Sequence, residues 1–580
     1  MGEKVTFLVG SAASLASPSC MPSASQLKTG MVNRIAGKLP PALAAMILTP
    51  GGGLGDMWQK LALEVLFQQM RRELGDLALE PLDVFRTQQT ETRFNFVHLA
   101  LAALADRFDV ALLTTNWDVL IEHAVSCLGL VCHPIVFGSP TAPSSARAGG
   151  QVELVKLHGS VDAHGTVVAT VDQAGLPFSD RQQALVGSTI DGGILCLVGY
   201  GANDYDVYHA IRASRARELF IVLRRPSGHV DPVAFQNRHA RLLALLNQSG
   251  GVPVVCDILD FSETLLSSTR PQLHRRQRHL LQEAANPPDT DWCNAVWDAW
   301  ASKVSDTLAH RIVGDIYHFL GDGVSSTIFY QGALAGKPSS RRRRERAGGL
   351  IRLSIGQCRA GQYGTGAATA SSALWASLAA RDRLLASDAL YAYADARWLD
   401  ARGKSLRALL AFGACGILYL FAPEPSSSHG RASCLQHVCL YAQLLPPWRV
   451  LRPLLRQGLR GLERSYRMFF GPNGNALRLI ARTYWMLGDI EKALDKGMEA
   501  LEICSWYGDG TGSGNCHREL ASIWLSSCER RGSAALDEAA FHFHEALSIA
   551  HRLNDPISEA KAQAGLEQVL LAQRGTAGSP

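Results

Sequence analysis

At 580 residues the chain is too long for a single hydrophobic core, so about two to four domains are expected. Hydrophobic residues make up 47% of the chain and charged residues 19%, which excludes a disordered protein. The formal net charge of +5 is small for this length, and four positive charges lie together at Arg341–Arg344. A nucleic-acid partner is therefore not expected.

The cysteines and the apolar runs indicate a cytoplasmic protein. Thirteen cysteines are scattered without a C-x-x-C pair, which is typical of free thiols in a reducing compartment and not of a zinc site or a disulfide frame. The N-terminus, MGEKVTFLVGSAAS, has too short an apolar run for a secretory signal. The longest uncharged apolar run, 408–422, is shorter than the roughly 20 residues that span a bilayer, so we predict a buried helix there.

Short β-branched runs alternate with helical patterns between residue 5 and about residue 260. Near-continuous apolar strands that alternate with helices predict a Rossmann-like α/β domain with a parallel sheet covered on both faces. The predicted helices lie at 96–105, 120–128, 207–217 and 240–247. The predicted strands are VTFLVG (5–10), VALLTTN (110–116), ELVKL (153–157), ILCLVGY (194–200), LFIVL (219–223) and VPVVC (252–256).

From about residue 285 the strand signals end, and the chain becomes rich in Ala, Leu and Arg. We predict three parts: an α/β domain at 1–285, an α-helical linker or degenerate repeat region at 286–470, and tetratricopeptide-like repeats at 471–580. Two stretches that combine Pro, Gly or Ser with charge, 336–349 and 422–433, are predicted to be exposed loops.

The repeat prediction depends on spaced aromatic and small residues, which let paired helices approach and fill the groove between them. A capping unit is predicted to begin at 551–566. The second unit has a loop about six residues longer than usual, as measured against the tetratricopeptide period. The residues that carry the pattern are Tyr484, Gly488, Ala493 and Ala500 in the first unit, and Trp524, Ala539, Phe543 and Ala546 in the second.

Polar or small residues follow four of the predicted strands. The first strand runs into the loop GSAASLASP, the second into TTNWD, the third into LHGS and the fourth into GYGAND. Each pattern is common by itself, since Asn and Asp often cap helices and a lone histidine is usually structural. The carboxyl ends of parallel strands meet at one edge of the sheet, where α/β folds bind ligands. The four motifs are therefore predicted to form one site.

In this order the motifs resemble the sirtuin-like family, and in particular its bacterial NAD-consuming branch fused to helical repeats. The family's G-A-G-x-S loop corresponds to residues 10–14, its T-[TQ]-N-[YWI]-D motif to residues 114–118, and its L-H-G motif to residues 157–159. The resemblance covers roughly residues 1–260. It implies NAD as the substrate, cleaved at the nicotinamide–ribose bond, and the repeats as a sensor or oligomerisation platform.

The resemblance assigns Asn116 and His158 to catalysis. An amide can hold a ribose hydroxyl or a water molecule by donating and accepting, and an imidazole can take a proton near neutral pH. The predicted NAD-binding residues are Gly10, Ser11, Ala12, Ser14, Thr115, Asp118, Gly199, Asn203 and Asp204. Of these, Asp118, Asn203 and Asp204 can alternatively serve only as helix caps.

The sequence departs from the family pattern in two respects. Ala12 stands where the family has its second motif glycine, and its methyl group can narrow the space in which backbone approaches a pyrophosphate. Residues 161–193 contain no cysteine, so the zinc module of protein-deacylating sirtuins is not expected, and no metal is predicted. The missing module favours a zinc-independent NAD hydrolase over a deacylase. The resemblance implies that such a hydrolase acts in antiphage defence, and that its helical repeats recognise a protein trigger or form a homo-oligomer. The alternatives are an NAD-dependent deacylase or ADP-ribosyltransferase, and a non-catalytic NAD or ADP-ribose sensor.

Overall fold

The computed structural model describes residues 3–49, 58, 61–87, 94–139, 151–163, 165–175, 177–224, 232–284, 291–335, 343–400, 405–419, 434, 452–468 and 474–577. The chain divides into two compact units. The first comprises Met1–Ile35 and Gly75–Lys303, and the second comprises Ala36–Leu74 and Val304–Pro580. The predicted division of the helical part at residue 470 stays a prediction.

The first unit contains a parallel sheet, as the sequence predicts. All six predicted strands are present, together with two short strands that the sequence analysis missed because each has only two residues. The order across the sheet is β3-β5-β2-β1-β6-β7-β8, and β4 pairs with β5. The strands are β1 (Val5–Val9), β2 (Val110–Thr114), β3 (Val131–Cys132), β4 (Ile135–Val136), β5 (Gln151–Lys156), β6 (Ile194–Val198), β7 (Glu218–Leu223) and β8 (Val252–Val255).

The register of the central strands aligns the ends from which the four motifs leave. Val9 of β1 pairs with Thr114 of β2 on one side and with Val198 of β6 on the other. Thr114 in turn pairs with Lys156 of β5. The strands β5, β2, β1 and β6 are therefore neighbours, and the residues that follow them emerge at one edge of the sheet, as predicted.

Helices pack against this sheet. Phe96–Arg107 contacts β2 and β5, and Pro232–Ser249 contacts β7. The helices of the first unit, beside 3-10 turns at Ser11–Ser14 and Gly75–Asp83, are Ala24–Ala36, Val84–Thr87, Phe96–Arg107, Leu120–Cys127, Val171–Ala174, Asp180–Ile190, Tyr205–Ala213, Pro232–Ser249, Ile258–Thr269, Pro271–Arg276, Arg278–Ala284 and Asp291–Ala301.

The described regular elements of the second unit are all helices. From Asp306 to Tyr419, and again from Arg452 to Ala577, each of the longer helices packs against the next. Its helices are Pro41–Leu48, Leu63–Leu74, Asp306–Leu320, Gly323–Leu334, Arg343–Arg359, Tyr363–Ala379, Arg383–Asp400, Leu406–Tyr419, Arg452–Met468, Gly474–Leu487, Ile490–Tyr507, Gly510–Ser526, Cys528–Arg531, Ser533–Arg552 and Pro556–Ala577.

The predicted repeats correspond to helix pairs. The first unit is the pair Gly474–Leu487 and Ile490–Tyr507, and the second is the pair Gly510–Ser526 and Ser533–Arg552. The extra length between the second pair forms the short helix Cys528–Arg531. Small residues do lie at the helix contacts: Ala521 and Ala539 share one buried cluster with the aromatic ring of Phe543.

The predicted loop at 336–349 is wrong in its second half, because a helix begins at Arg343. Arginine and glutamate are good helix formers, and a run of charge does not by itself end a helix. Arg344 forms an ion pair with Asp382 (2.6 Å), whereas Arg341 and the predicted loop at 422–433 lie outside the described residues. The predicted helix at 408–422 is present as Leu406–Tyr419, with residues 420–422 outside the described part. The prediction that this helix is buried is wrong, because Leu410 (65%) and Ile417 (60%) are exposed. No described helix is both long and apolar enough to cross a membrane.

Candidate functional site

The side-chain amide of Asn116, just after β2, has a nitrogen that is hydrogen-bonded within the protein and an oxygen that has no hydrogen-bond partner among the described residues. Its Nδ2 donates to the carbonyl of Gly10 (3.3 Å) and to the hydroxyl of Ser14 (3.2 Å). Its backbone N–H donates to Thr114 Oγ1 (3.0 Å). Asn116 Oδ1 is buried and accepts no hydrogen bond from the described residues. A buried carbonyl oxygen without a donor is costly, so this atom is suited to accept a hydrogen bond from a ligand or a water molecule.

Ser14 connects the loop after β1 to the turn after β2. Its hydroxyl donates to Asp118 Oδ2 (2.9 Å) and lies 3.1 Å from His98 Nε2. Asp118 Oδ1 also accepts the backbone N–H of Leu120 (3.2 Å), at the start of the helix Leu120–Cys127. Both roles predicted for Asp118, orienting its neighbours and capping a helix, are therefore compatible with its contacts.

His98 completes this buried network in its neutral form. Burial lowers the pKa of His98 to about 4, although the nearby Asp118 carboxylate raises it in part. Its Nδ1 accepts the backbone N–H of Asn95 (3.2 Å), so its proton is on Nε2 and is donated to Ser14. Asn95 caps the helix Phe96–Arg107 and donates to the carbonyl of Ala13 (2.7 Å).

Because His98 is neutral in the folded protein, we expect it to make the folded state less stable at acidic pH. Its folded pKa of about 4 lies below the ordinary value of 6.5, so the unfolded chain binds a proton that the folded chain does not. We expect this residue to remove roughly 3 kcal/mol from the free energy of unfolding as the pH falls through that window. His98→Gln, which keeps a donor toward Ser14, should lose less stability over the same interval. Urea denaturation of both proteins at pH 7 and pH 4 measures the difference, and equal losses would contradict the assignment.

Lys156, at the end of β5, forms hydrogen bonds that hold the TTNWD turn and the helix after it. Its side chain is fully buried, and its Nζ donates to the backbone carbonyl of Asp118 and to Glu122 Oε1 (2.9 Å). Burial raises the pKa of Glu122, and the Lys156 ammonium opposes that rise. A lysine between Val155 and Leu157, at the buried end of a predicted strand, is the signal in the sequence that could have identified this residue.

Lys156→Met is expected to destabilise the protein by about 3–5 kcal/mol, because it leaves the Glu122 carboxyl buried without its cation. The double variant Lys156→Met with Glu122→Leu removes both charges and should recover part of that loss. Thermal and urea denaturation measure the free energy of unfolding of both variants. A single variant within about 1 kcal/mol of the wild-type free energy of unfolding would show that the pair is not needed to hold the turn.

His158 follows β5 and faces two carboxylates from the loop and helix after β6. Its Nε2 lies 3.1 Å from both carboxylate oxygens of Asp206, and its Nδ1 lies 3.7 Å from Asp204 Oδ1. Asp206 also accepts the backbone N–H of Val207 (2.8 Å), which fixes its carboxylate. The pKa of Asp204 is raised by burial, partly offset by His158 and raised further by Asp206. Asp206, which the sequence analysis did not single out, is thus the residue that orients the imidazole.

The loop after β1 packs directly on the loop after β6. A Cβ at Gly10 would lie 2.5 Å from the carbonyl oxygen of Gly199, and Gly199 has a φ of +66°. The backbone N–H of Ala12 donates to that same carbonyl (3.2 Å). Glycine at both positions is therefore required for the two loops to approach each other, and the N–H of Ala12 is already bound within the protein.

The site thus has two clusters, one around Asn116 and one around His158. The remaining predicted residues lie around them. Ser11 is exposed, Thr115 is half-buried and donates its N–H to Val9, and Asn203 is exposed with its Oδ1 3.4 Å from Arg241 Nη1. The structure joins Gly10, Ser14, Asn116 and Asp118 by hydrogen bonds, and places His158 with Asp204 and Asp206. Sequence reasoning missed His98, Lys156 and Asp206. Among the described residues, no group of three or more His, Cys, Asp or Glu side chains is placed to hold a metal ion.

Comparison with known proteins gives one family. A model of the SIR2-like domain matches residues 110–243, and no curated protein matches the sequence. Two similar solved structures are the Rap conjugation gene regulator of the plasmid pLS20 in complex with the Phr* peptide, and a signal-transduction ATPase with numerous domains and a tetratricopeptide repeat sensor from Pyrococcus horikoshii. The first is 13% identical, with a TM-score of 0.31, over 55% of this chain and 93% of that one. The second is 11% identical, with a TM-score of 0.29, over 97% of this chain and 84% of that one.

The matched range contains the TTNWD turn, the LHG turn and the helix that carries Asp206. It therefore includes Asn116, Asp118, His158 and Asp206, whereas Gly10, Ser14 and His98 lie before it. The chain thus contains a region, residues 110–243, that matches the SIR2-like domain model, and a helical C-terminal region follows it.

Proposed function

We propose that the protein is a zinc-independent NAD hydrolase that cleaves the nicotinamide–ribose bond of NAD. The observation that carries the proposal is the buried, unpartnered Oδ1 of Asn116, at the same sheet edge as the His158–Asp206 pair. SIR2-like domains use NAD, which makes the dinucleotide the first ligand to consider for this edge. The reaction needs an oriented ribose, exclusion of bulk water and one activated water molecule.

Asn116 is the proposed positioning group for ribose or water. Its Nδ2 is held by Gly10 and Ser14, so the side chain has one orientation and its Oδ1 is directed away from those partners. From that position the oxygen can accept a hydrogen bond from a ribose hydroxyl or from the attacking water. In this account Ser14 and Asp118 act on the substrate through Asn116, because their hydrogen bonds fix its loop.

His158 is the proposed proton acceptor. With its Nε2 hydrogen donated to Asp206, the lone pair is on Nδ1, and Asp206 stabilises the imidazolium that forms. In the reaction the oxygen of water bonds to the anomeric carbon of the ribose, and the carbon–nitrogen bond breaks. The bonding electrons leave with neutral nicotinamide, and the proton of the water goes to His158. The products are nicotinamide and ADP-ribose.

The two packed loops are proposed to bind the rest of the dinucleotide. Gly10, Ser11, Ala12, Thr115 and Gly199 would contact phosphate and ribose groups through backbone or hydroxyl donors. Asn203 and Asp204 would contact the adenosine side. The N–H groups of Gly10, Ala12 and Thr115 are bound to the carbonyls of Val198, Gly199 and Val9, so donors for the pyrophosphate have to come from hydroxyl groups such as those of Ser11 and Thr115, or from other N–H groups of these loops.

Incubating the purified chain with NAD, with and without an acylated peptide, tests the proposed function. Release of nicotinamide without peptide is the expected result. Release that requires the peptide would indicate a deacylase or an ADP-ribosyl transfer to protein. Binding of NAD without release, measured by calorimetry, would indicate a sensor of NAD or ADP-ribose.

We further propose that the hydrolase is a cytoplasmic effector of antiphage defence. The support is the resemblance to NAD-consuming bacterial proteins with helical repeats, together with the observed succession of an α/β unit and a helical unit. In this proposal the helical unit recognises a protein trigger and contributes to a homo-oligomer. Stacked helix pairs of this type present surfaces suited to binding a partner.

A further inference from the structure

A polar cavity lies within the helical unit, built by the two predicted repeats and the helices before and after them. Its volume is about 570 Å³, within the range of roughly 300–1,000 Å³ that is typical of small-molecule sites. The helices Arg343–Arg359, Arg383–Asp400, Gly474–Leu487, Gly510–Ser526 and Pro556–Ala577 all contribute side chains to its lining. All of these belong to one compact unit.

The repeats present the same residue types to the cavity. Asn475 and Arg478 on the first helix of one pair correspond to Asn515 and Arg518 on the first helix of the next pair. In each helix the arginine follows the asparagine by one turn, so the two side chains lie on one face. The contact is direct, since Arg518 Nη2 donates to Asn515 Oδ1 (2.6 Å) and Arg478 Nη2 donates to Asn475 Oδ1 (2.7 Å).

Positive charge in this cavity exceeds negative charge. Five cationic side chains line it against two carboxylates, those of Asp395 and Asp555. A third carboxylate, Glu519, lies between Arg478 and Arg482 and pairs with both. The Asp555 carboxylate is occupied as a helix cap, since it accepts the N–H groups of Ile557 (3.1 Å) and Ser558 (3.0 Å).

Three of the cations have no carboxylate partner within 4.0 Å among the described residues: Arg359, Arg518 and Lys561. Arg359 donates to the carbonyl of His318 (2.8 Å) and to Thr511 Oγ1 (3.0 Å). Arg518 donates to Ser558 Oγ (3.2 Å) in addition to Asn515. The hydrogen-bond partners given for Arg359 and Arg518 are neutral. Among the described residues, no carboxylate in direct contact balances the charge of any of the three cations.

The electrostatics agree with the geometry. The pKa of Lys561 is lowered to about 8, first by desolvation within the cavity and then by Arg518. The pKa of Arg518 is lowered to about 10 by desolvation, with Arg478 and Arg482 adding to the effect against Glu519. For these two groups desolvation and the neighbouring arginines outweigh the nearby carboxylates, Asp395 and Asp555 for Lys561 and Glu519 and Asp555 for Arg518, so an anionic ligand would stabilise their charged forms.

The cavity lining also includes aromatic side chains. They are Tyr363, Tyr391, Trp398 and Tyr419, on helices that precede the repeats. Aromatic rings and guanidinium groups in one cavity can pack against a planar ring system while the cations bind its anionic groups.

We propose that this cavity binds a phosphorylated small molecule of nucleotide size. The five lining cations exceed the two lining carboxylates by three, and the nearby carboxylates Glu519 and Asp509 reduce that excess to one. One phosphate group carries about −1.5 to −2 charges near neutral pH and would neutralise this excess. Several oxygens on one phosphate can engage arginines from different helices at once, whereas a single carboxylate engages one or two. This site lies in the helical unit and does not depend on the proposed hydrolase activity.

Calorimetric titration of the full chain with ATP and with pyrophosphate tests the proposal, with a short oligoglutamate peptide as the acidic alternative. We expect both phosphate compounds to bind, ATP more tightly. Arg518→Gln and Lys561→Gln should each weaken ATP binding about tenfold or more. Arg530→Gln removes a positive charge from an exposed position in the same unit and should leave binding unchanged.

Because ATP can also enter an NAD site, the dependence on Arg518 and Lys561 is the decisive result. Circular dichroism melting of each variant shows whether it is folded, and Arg518→Lys, which keeps the charge, should retain part of the affinity. The proposal is overturned if folded wild-type protein binds neither ATP nor pyrophosphate at millimolar concentration. It is equally overturned if both glutamine variants bind ATP like the wild type, or if only oligoglutamate binds.

Discussion

His158→Ala is expected to lower the rate of nicotinamide release about a hundredfold to ten-thousandfold, while the affinity for NAD changes far less. The reason is the position of the imidazole: its Nε2 lies 3.1 Å from both oxygens of Asp206, and in the proposed mechanism its Nδ1, 3.7 Å from Asp204 Oδ1, accepts the proton. Asp206→Asn should lower the rate in the same direction, because an amide can donate to the ring and stabilises the imidazolium less. Measuring affinity by calorimetry and release by chromatography on the same sample separates the two effects.

The matched control is His133→Ala, which removes an exposed histidine from the same unit. It should leave both affinity and rate unchanged. If His158→Ala reduced affinity and release by the same factor, His158 would be a binding residue and the proposed proton transfer would be wrong.

Asn116→Ala is expected to abolish NAD cleavage in a protein that remains folded. The variant loses the open Oδ1 and the two hydrogen bonds from Nδ2 to Gly10 and Ser14. Loss of such bonds costs about 1 kcal/mol each, which a domain of this size tolerates. Asn116→Asp keeps an acceptor but loses the donor to Gly10, so it should fold and retain at most a small part of the rate. Full turnover by a folded Asn116→Ala variant would show that the residue serves only the turn.

The architecture could be predicted because hydrophobic periodicity reports on burial. Strands such as VALLT and ILCLV are apolar on both faces, so their place inside a covered sheet follows from the residues alone. Because the strands are parallel, their carboxyl ends lie at one edge of the sheet. The placement of Asn116 and His158 at that edge therefore follows from the sequence. The charged run after residue 340 was misinterpreted because charge patterning does not distinguish an exposed loop from an exposed helix.

The partners inside the site could not be predicted, since they come from distant segments. His98 lies on a helix before β2 and meets Ser14 from the loop after β1, and Asp206 meets His158 from beyond β6. Gly10 and Gly199 were predicted to bind NAD. In the structure each also makes room for the other's loop, a contact that no local motif reveals.

The central claim is that this chain hydrolyses NAD at the edge where Asn116 and His158 meet the substrate. The most direct measurement is the product balance when purified wild-type protein and Asn116→Ala are incubated with NAD alone: NAD lost, nicotinamide formed and ADP-ribose formed. The account predicts equal amounts of nicotinamide and free ADP-ribose from the wild type and neither from the variant. Equal product formation by both proteins, or nicotinamide without free ADP-ribose, would contradict it.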